Sequence, residues 1–261
     1  MRVIVTRPIA QAAPWVQALQ ALGIDAVALP LIAIEPAERA PIAAAWAHLN
    51  GAALAMFVSP NAVQHFFEAR PPGQPWPAAT RAGSTGPGTS AALRAAGIDE
   101  AQLVEPPPDG PFDTETLWQR LQAEPWQGRR VLIVRGDGGR DWLAQTLRAA
   151  GAQVDFVTAY RRRAPRLDRA LVDAALQAPA AHCWHFSSSE AIDHLLAAVP
   201  GADWRACRAE ATHPRIAERA RRAGFGRVGL VGVRVDELAA RLRAPAAGAA
   251  SQGASIESPP L

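Results

Sequence analysis

Short apolar runs alternate with stretches of helical periodicity along most of the chain. Val3-Ile4-Val5 reads as a buried strand, the segment through Gln17, Leu19 and Ala21 as an amphipathic helix, and Gly23 as the residue that ends it. The same signals return in Val131-Leu132-Ile133-Val134, then Gln145, Leu147 and Ala149, then Gly151. This is one pattern met twice, because Arg2 to Arg7 superimposes on Arg130 to Arg135 without a gap at an offset of 128 residues. Two further matches lie in line with it. Phe57-Val58-Ser59-Pro60-Asn61-Ala62 meets Phe186-Ser187-Ser188-Ser189-Glu190-Ala191 at an offset of 129, with His65 on His194. Gly86-Pro87-Gly88-Thr89 meets His213-Pro214-Arg215-Ile216 at 127, and a helix follows each. Three collinear matches mark an internal duplication.

Strands alternating with helices call for parallel sheets covered on both faces. The expected fold class is therefore α/β, with two similar parallel-sheet domains derived from the duplication. In open sheets of this kind ligands gather at the carboxyl ends of the strands, where backbone N–H groups and helix N-termini favour anions. Two such edges facing one another predict an interdomain cleft.

Composition narrows the picture. The 261 residues are 49% hydrophobic, ample for packed cores. Every basic residue is arginine, 27 against 24 acidic residues, for a net charge of +3. So small an excess describes a mixed-charge surface and argues against nucleic acid as a partner. Arginine forks suit carboxylates and phosphates, although a base-composition bias removes lysine equally well. Cys183 and Cys207 lack metal-ligand spacing and read as core thiols. The N-terminus has no signal-like apolar stretch and no run approaches membrane-spanning length, so a cytoplasmic protein without membrane contact is expected. Residues 244–261, rich in Ala, Gly, Ser and Pro, read as a disordered tail. No amphipathic stretch is left over for self-association, and a monomer is expected.

Candidate chemistry clusters where strands give way to helices. Thr6-Arg7-Pro8 and Arg135-Gly136-Asp137-Gly138-Gly139-Arg140 both do so. Arg7, Arg135 and Arg140 bring guanidinium groups to a crevice, and Gly136 and Gly138 let backbone approach a ligand closely. A solvated turn explains Arg7 equally well. The glycine stretch is neither a dinucleotide fingerprint nor a P-loop, which leaves NAD and ATP without support. Ser59 and Ser188 begin helices, where hydroxyls either cap the helix or donate to a bound carboxylate. No nucleophile motif accompanies them. His182-Cys183-Trp184-His185 divides its side chains between two strand faces and falls short of a metal set, so no metal is expected. His213 opens a helix as a cap, a packing residue or an anion contact. Tyr160, the one tyrosine, closes Val157-Thr158-Ala159-Tyr160 before an arginine run, either half-buried or with its hydroxyl at the cleft.

Taken in order, Val3 to Pro8, Leu29-Pro30-Leu31-Ile32, Phe57 to Val63, Gly86-Pro87-Gly88-Thr89, Val134 to Arg140 and Tyr160 resemble the uroporphyrinogen-III synthase family over residues 1–242. The resemblance implies two α/β domains joined by a two-stranded connector. Residues 1–34 and 163–243 would form a discontinuous domain and 38–157 the inserted one, with Leu31–Glu35 and Val157–Arg161 as connectors. It implies a cofactor-free lyase whose substrate is hydroxymethylbilane, a linear tetrapyrrole rich in carboxylates, and whose product is uroporphyrinogen III. Loss of the substrate hydroxyl gives an azafulvene cation, attack at a substituted pyrrole carbon a spiro intermediate, and rearrangement inverts ring D. The substrate brings its own electrophile, so the protein's part is to fold it, stabilise developing charge and prevent closure without inversion. Functional coupling to porphobilinogen deaminase, which makes this unstable substrate, is implied as well.

By position, Tyr160 matches the family's functional tyrosine, which assists departure of the hydroxyl. Thr89, Ser59 and Ser188 match contacts to substrate carboxylates. The second half departs from the family pattern. Where relatives carry Gly-Pro-Thr-Thr this chain has His213-Pro214-Arg215-Ile216, which makes Arg215 or His213 the substitute, and Ser189 stands for the usual proline. The competing expectation is a noncatalytic two-lobed protein that closes on an anionic small molecule, and Tyr160 with the Gly-Arg loop argues against it.

Overall fold

A strand covered on both faces has no polar side to alternate with, and the longest apolar runs become such strands. A computed structural model describes residues 1–108 and 111–244. Strand β1 (Arg2–Val5) leads into α1 (Ile9–Ala21), β2 (Ala26–Ala28) and β3 (Ala33–Pro36). Next come α2 (Arg39–His48), β4 (Ala52–Phe57), α3 (Pro60–Glu68), β5 (Arg81–Ser84), α4 (Pro87–Ala95) and β6 (Leu103–Val104). Helix α5 (Thr114–Leu121) precedes β7 (Arg130–Gly136), α6 (Trp142–Ala149) and the long β8 (Gln153–Arg163). The last stretch holds α7 (Arg169–Gln177), β9 (His182–Phe186), α8 (Ser189–Ala198), β10 (Arg208–Ala211), α9 (Pro214–Arg222), β11 (Arg227–Leu230) and α10 (Val235–Arg243). The expected tail falls, from residue 245 on, outside the described residues.

Contacts divide the chain into two units, Met1–Ala33 with the chain from Ala164 onward, and Ile34–Arg163. The first holds a sheet of order β11-β10-β9-β1-β2, the second one of order β3-β8-β7-β4-β5-β6. In the first, β1 runs parallel to β2 and β9, and β10 parallel to β9 and β11. In the second, β4 runs parallel to β5 and β7, β5 to β6, and β7 to β8. Helices cover both faces. In the second unit Phe57 and Val134 pack with Trp46 and Phe66, while Met56 and Ile133 pack with Leu117 and Leu147. In the first, Val3 and Val5 meet Leu19 of α1 and Leu238 of α10. Trp184 and Phe186 belong to a separate aromatic group with Trp204 and Phe225.

The repeats visible in the sequence do not coincide with these units. Strand β1 matches β7, β4 matches β9, and β5 matches β10. Apart from the extra edge strand β3 of the second sheet, both sheets therefore share one five-strand order, β2-β1-β9-β10-β11 in the first and β8-β7-β4-β5-β6 in the second. Each takes its first two strands from one repeat and the remaining three from the other. The matched glycines end α1 and α6 in the same way. Gly23 (φ 75°) and Gly151 (φ 92°) take the left-handed conformation. Their chains turn so that Ile24 N–H reaches Leu19 O and Ala152 N–H reaches Leu147 O, each at 3.0 Å.

The chain passes from one unit to the other at Ala33–Ile34 and returns at Arg163–Ala164, so the expected connector segments fall at or next to β3 and β8. Strand β3 is hydrogen-bonded in the sheet beside β8, and β8 runs unbroken past Val157 to Arg163. Both expected connector segments thus contribute to the six-stranded sheet, because β8 stays paired to β7 as far as Tyr160.

Candidate active site

Strand order reverses between β7 and β4 in the second unit and between β9 and β1 in the first, and at such points loops diverge to either face and leave a crevice at the carboxyl edge. Ser59 follows β4, residues 135–140 run off the end of β7, and Arg7 and Ser188 follow β1 and β9, the strands at these two points, whereas Thr89 and His213 follow the next strands out, β5 and β10.

In the second unit, Ser59 follows β4 as the N-cap of α3, its Oγ accepting the Ala62 N–H at 3.2 Å. Tyr160 lies on β8 across from Gly136, the last residue of β7. The pairing slips there, from Arg135 opposite Thr158 to Gly136 opposite Tyr160, a β-bulge that leaves Ala159 over, and the Ala159 carbonyl accepts from Ala37 N–H. Tyr160 Oη is 3.0 Å from Ser59 Oγ. Arg162 Nη2 donates to the same phenol oxygen at 3.5 Å, and the Arg162 guanidinium carbon lies 5.8 Å from the Tyr160 ring centroid. The ring is enclosed, only 1% exposed, with His65 at 6.3 Å between ring centroids. Tyr160 is thus a strand residue, fully and not half buried, with its oxygen engaged by Ser59 and Arg162.

The two glycines singled out in the glycine-rich stretch have different surroundings. A Cβ on Gly136 would come within 2.9 Å of the Tyr160 ring, so the room left at Gly136 is taken by Tyr160 and not by a ligand. Gly138 does have open space beside it, and Gly139 adopts φ 137°. Asp137 accepts from Arg162 N–H at 3.0 Å and from Arg163 Nη1 at 2.7 Å, which ties the loop to the end of β8. Burial opposes ionisation of Asp137, but these donors outweigh it and hold the carboxyl below its usual range. Arg135 is paired with Asp141 and lies over Phe156 at 4.7 Å. Arg140 is paired with Glu115 at 2.8 Å. Both guanidinium groups already have carboxylate partners. Thr89 is buried in the first turn of α4, near a buried pair that no sequence pattern singles out, Ser84 with Ser90 at 2.6 Å.

In the first unit, Thr6 Oγ1 donates to the His185 carbonyl at 2.7 Å and locks the end of β1 onto β9. Arg7 lies over Trp15 at 4.3 Å, and Trp15 stacks on His185 at 4.6 Å. Arg7 has no carboxylate partner among the described residues, and its Nε is buried without a hydrogen bond. Burial of this uncompensated cation lowers its pKa to about 10. His185 is fully buried with neither ring nitrogen partnered, and burial, seconded by the Arg7 charge, pushes its pKa down to about 3, so the ring is neutral. Ser188 stands at the N-cap of α8 but makes no side-chain cap bond, while Ser189 Oγ is buried and unpartnered. His213 does cap α9, Nδ1 accepting the Arg215 N–H at 3.1 Å. The exposed Arg215 side chain has no carboxylate partner among the described residues.

A cavity of about 610 Å³ in the second unit lies elsewhere, along α2 and β8 between Pro41, Ala44, Phe156 and Val157. It reaches Asp137 and Arg161 but neither Tyr160 nor Ser59. Convergent polar groups, not volume, mark the crevices. Among the described residues no three of His, Cys, Asp and Glu cluster as metal ligands, and no helix is long and apolar enough to cross a membrane.

A sequence profile described as uroporphyrinogen-III synthase HemD matches residues 13–230. The uroporphyrinogen-III synthase of Escherichia coli K12 is 30% identical over 233 residues, 86% of this chain and 92% of that one. The chain belongs to the uroporphyrinogen-III synthase family. The Salmonella typhimurium synthase is 34% identical over 173 residues, 65% of this chain and 68% of that protein. Among solved structures, a mutant uroporphyrinogen III synthase from Thermus thermophilus superposes with a TM-score of 0.62 at 18% identity, covering 93% of this chain and 98% of the other. The uroporphyrinogen-III synthetase of Helicobacter pylori 26695 gives 0.56 at 16% identity, with 93% and 100% covered. At those identities the structures speak for the α/β fold alone.

For a member of the synthase family, the sequence reading overlooked Asp137, Arg162 and His185 as parts of the two crevices. A signal existed for Arg162, since residues two apart on a strand share a face and it follows Tyr160 by two. None existed for His185, whose neighbours Arg7 and Trp15 come from the other end of the chain.

Proposed function

We propose that the chain closes hydroxymethylbilane to uroporphyrinogen III with inversion of ring D and loss of water, a lyase step of tetrapyrrole and haem biosynthesis, without a cofactor and in the cytoplasm. The observation that carries this reading, beside family membership, is the setting of Tyr160, a phenol held rigidly by the sheet with its oxygen within reach of Ser59 and Arg162. In this reading Tyr160 is the catalytic residue and hydrogen-bonds the hydroxyl as it departs. The azafulvene cation that remains is attacked by the substituted carbon of ring D, and the spiro intermediate opens and recloses with that ring inverted, releasing a proton. Fixed dipoles at the crevice stabilise the cation and hold the chain in the geometry that leads to inversion.

Substrate carboxylates need partners, and Arg7 is the strongest of those proposed because it lacks an acidic partner and has lost part of its hydration. Arg215, Ser188, Thr89, the free edge of His213 and the open backbone at Gly138 are proposed as further contacts. Arg135 and Arg140 would first have to leave Asp141 and Glu115. The enzyme is proposed to work as a monomer that receives its unstable substrate from porphobilinogen deaminase.

The test supplies hydroxymethylbilane generated in place by that deaminase, oxidises the products and separates type I from type III uroporphyrin. Spontaneous closure yields type I. Type III that depends on the protein, and that Tyr160→Phe slows by about a hundredfold or more, is the expected result. Type I at the level found without protein would refute the synthase reading and favour the noncatalytic anion-binding one.

A further inference from the structure

The surroundings of Tyr160 give its hydrogen bond a direction. Ser59 Oγ accepts the Ala62 N–H at the start of α3, where unpaired amide groups concentrate partial positive charge. A hydroxyl that accepts from such a group is polarised into a better donor of its own proton. Tyr160 Oη, at 3.0 Å, is the one other partner of that hydroxyl among the described residues. Arg162, a donor without acceptor capacity, addresses the same phenol oxygen at 3.5 Å.

We propose that Ser59 donates to Tyr160 Oη, so that the phenol oxygen accepts from both Ser59 and Arg162 and its proton is left for a third partner, the departing hydroxyl of the substrate. Ser59 is then a positioning residue that carries the field of the α3 N-terminus to the phenol, not a contact to a substrate carboxylate. The identity of the third partner rests on the synthase reading above. The direction of the Ser59 bond does not.

Tyr160 is the only tyrosine of the chain. The tyrosine Fermi doublet of the Raman spectrum therefore reports on it alone, with a high intensity ratio for a phenol oxygen that accepts and a low one for a hydroxyl that donates. The wild-type protein is expected to show the high ratio, Ser59→Ala to lower it, and Ser59→Thr to keep it, while Tyr160→Phe abolishes the doublet and so assigns it. In the ring-closure assay Ser59→Ala is expected to lower kcat on the order of tenfold with little change in KM, and Ser59→Thr to restore it. A low wild-type ratio overturns the proposal, and that spectrum decides even if Ser59→Ala does not fold. A ratio or a kcat indifferent to Ser59→Ala overturns it too. Absence of type III product from the wild-type protein would sink the synthase reading and leave the spectrum to judge the bond by itself.

Discussion

Acid should weaken the first unit through His185. The ring is fully buried, stacked on Trp15, unpartnered at both nitrogens and near the Arg7 charge, and its pKa falls from the ordinary 6.5 to about 3. Between those values the unfolded chain binds a proton that the native ring refuses, so stability rises with pH across this window. The stabilisation is complete above the unfolded value and is lost as pH falls from about 6.5 towards 3. Between pH 7 and pH 5 the loss amounts to about 2 kcal/mol, from about 1.4 kcal/mol for each pH unit below the unfolded pKa. His185→Leu removes the titrating group and replaces it with a side chain of similar volume. Urea unfolding of wild type and variant at both pH values isolates the term, because carboxylates that begin to titrate near pH 5 are common to both. The wild type should lose about 2 kcal/mol more than the variant, or about 4–8 °C in thermal midpoint for a chain of this size. Parallel pH profiles would refute the reasoning and mean that His185 is hydrogen-bonded or accessible to solvent.

Other substitutions separate packing from charge. Gly136→Ala places a methyl group 2.9 Å from the Tyr160 ring and should cost about 1–3 kcal/mol in urea unfolding while lowering kcat, because the ring must shift away from Ser59. Arg7→Gln should raise KM for ring closure several-fold, whereas Arg140→Gln, whose guanidinium is committed to Glu115, should leave KM near that of the wild type; steady-state kinetics on the two side by side decides this. Thr80→Val deletes a buried hydroxyl that reaches the Leu49 and Ala52 carbonyls, each at 2.9 Å, and should destabilise the second unit by about 1–3 kcal/mol without a change in KM.

Much of the fold was legible because burial on both faces erases polar alternation. Val3 to Val5 and Val131 to Val134 announce central strands, and Gly23 and Gly151 announce helix ends because an L side chain resists positive φ. The duplication told which strands are alike but not which ones pair, and so the exchange of strands between the repeats stayed hidden. The bulge opposite Gly136 was equally silent, since the slip is a matter of how β7 and β8 pair across a long stretch of sequence. At the crevices the residue types could be read and their partners could not. Arg135 and Arg140 look alike to Arg7 in sequence, yet Asp141 and Glu115 neutralise the first two while Trp15 merely shields the third. Ser59 and Ser188, matched in the repeat, diverge because only the first meets both an amide of its helix and a phenol.

The division of each sheet between the repeats also sets an order of events during synthesis. Strand β1 occupies an inner position in its sheet, yet its neighbour β9 begins at His182. At about 5–20 residues per second, the ribosome needs roughly 10–35 s to deliver that partner after β1 has emerged. All strands of the Ile34–Arg163 unit are available before then. The unit in the middle of the chain can therefore close first, while Val3, Ile4 and Val5, completely buried in the finished protein, wait with one edge unpaired. For that interval the nascent chain presents an apolar strand edge, the kind of surface on which chaperones act and from which aggregation starts.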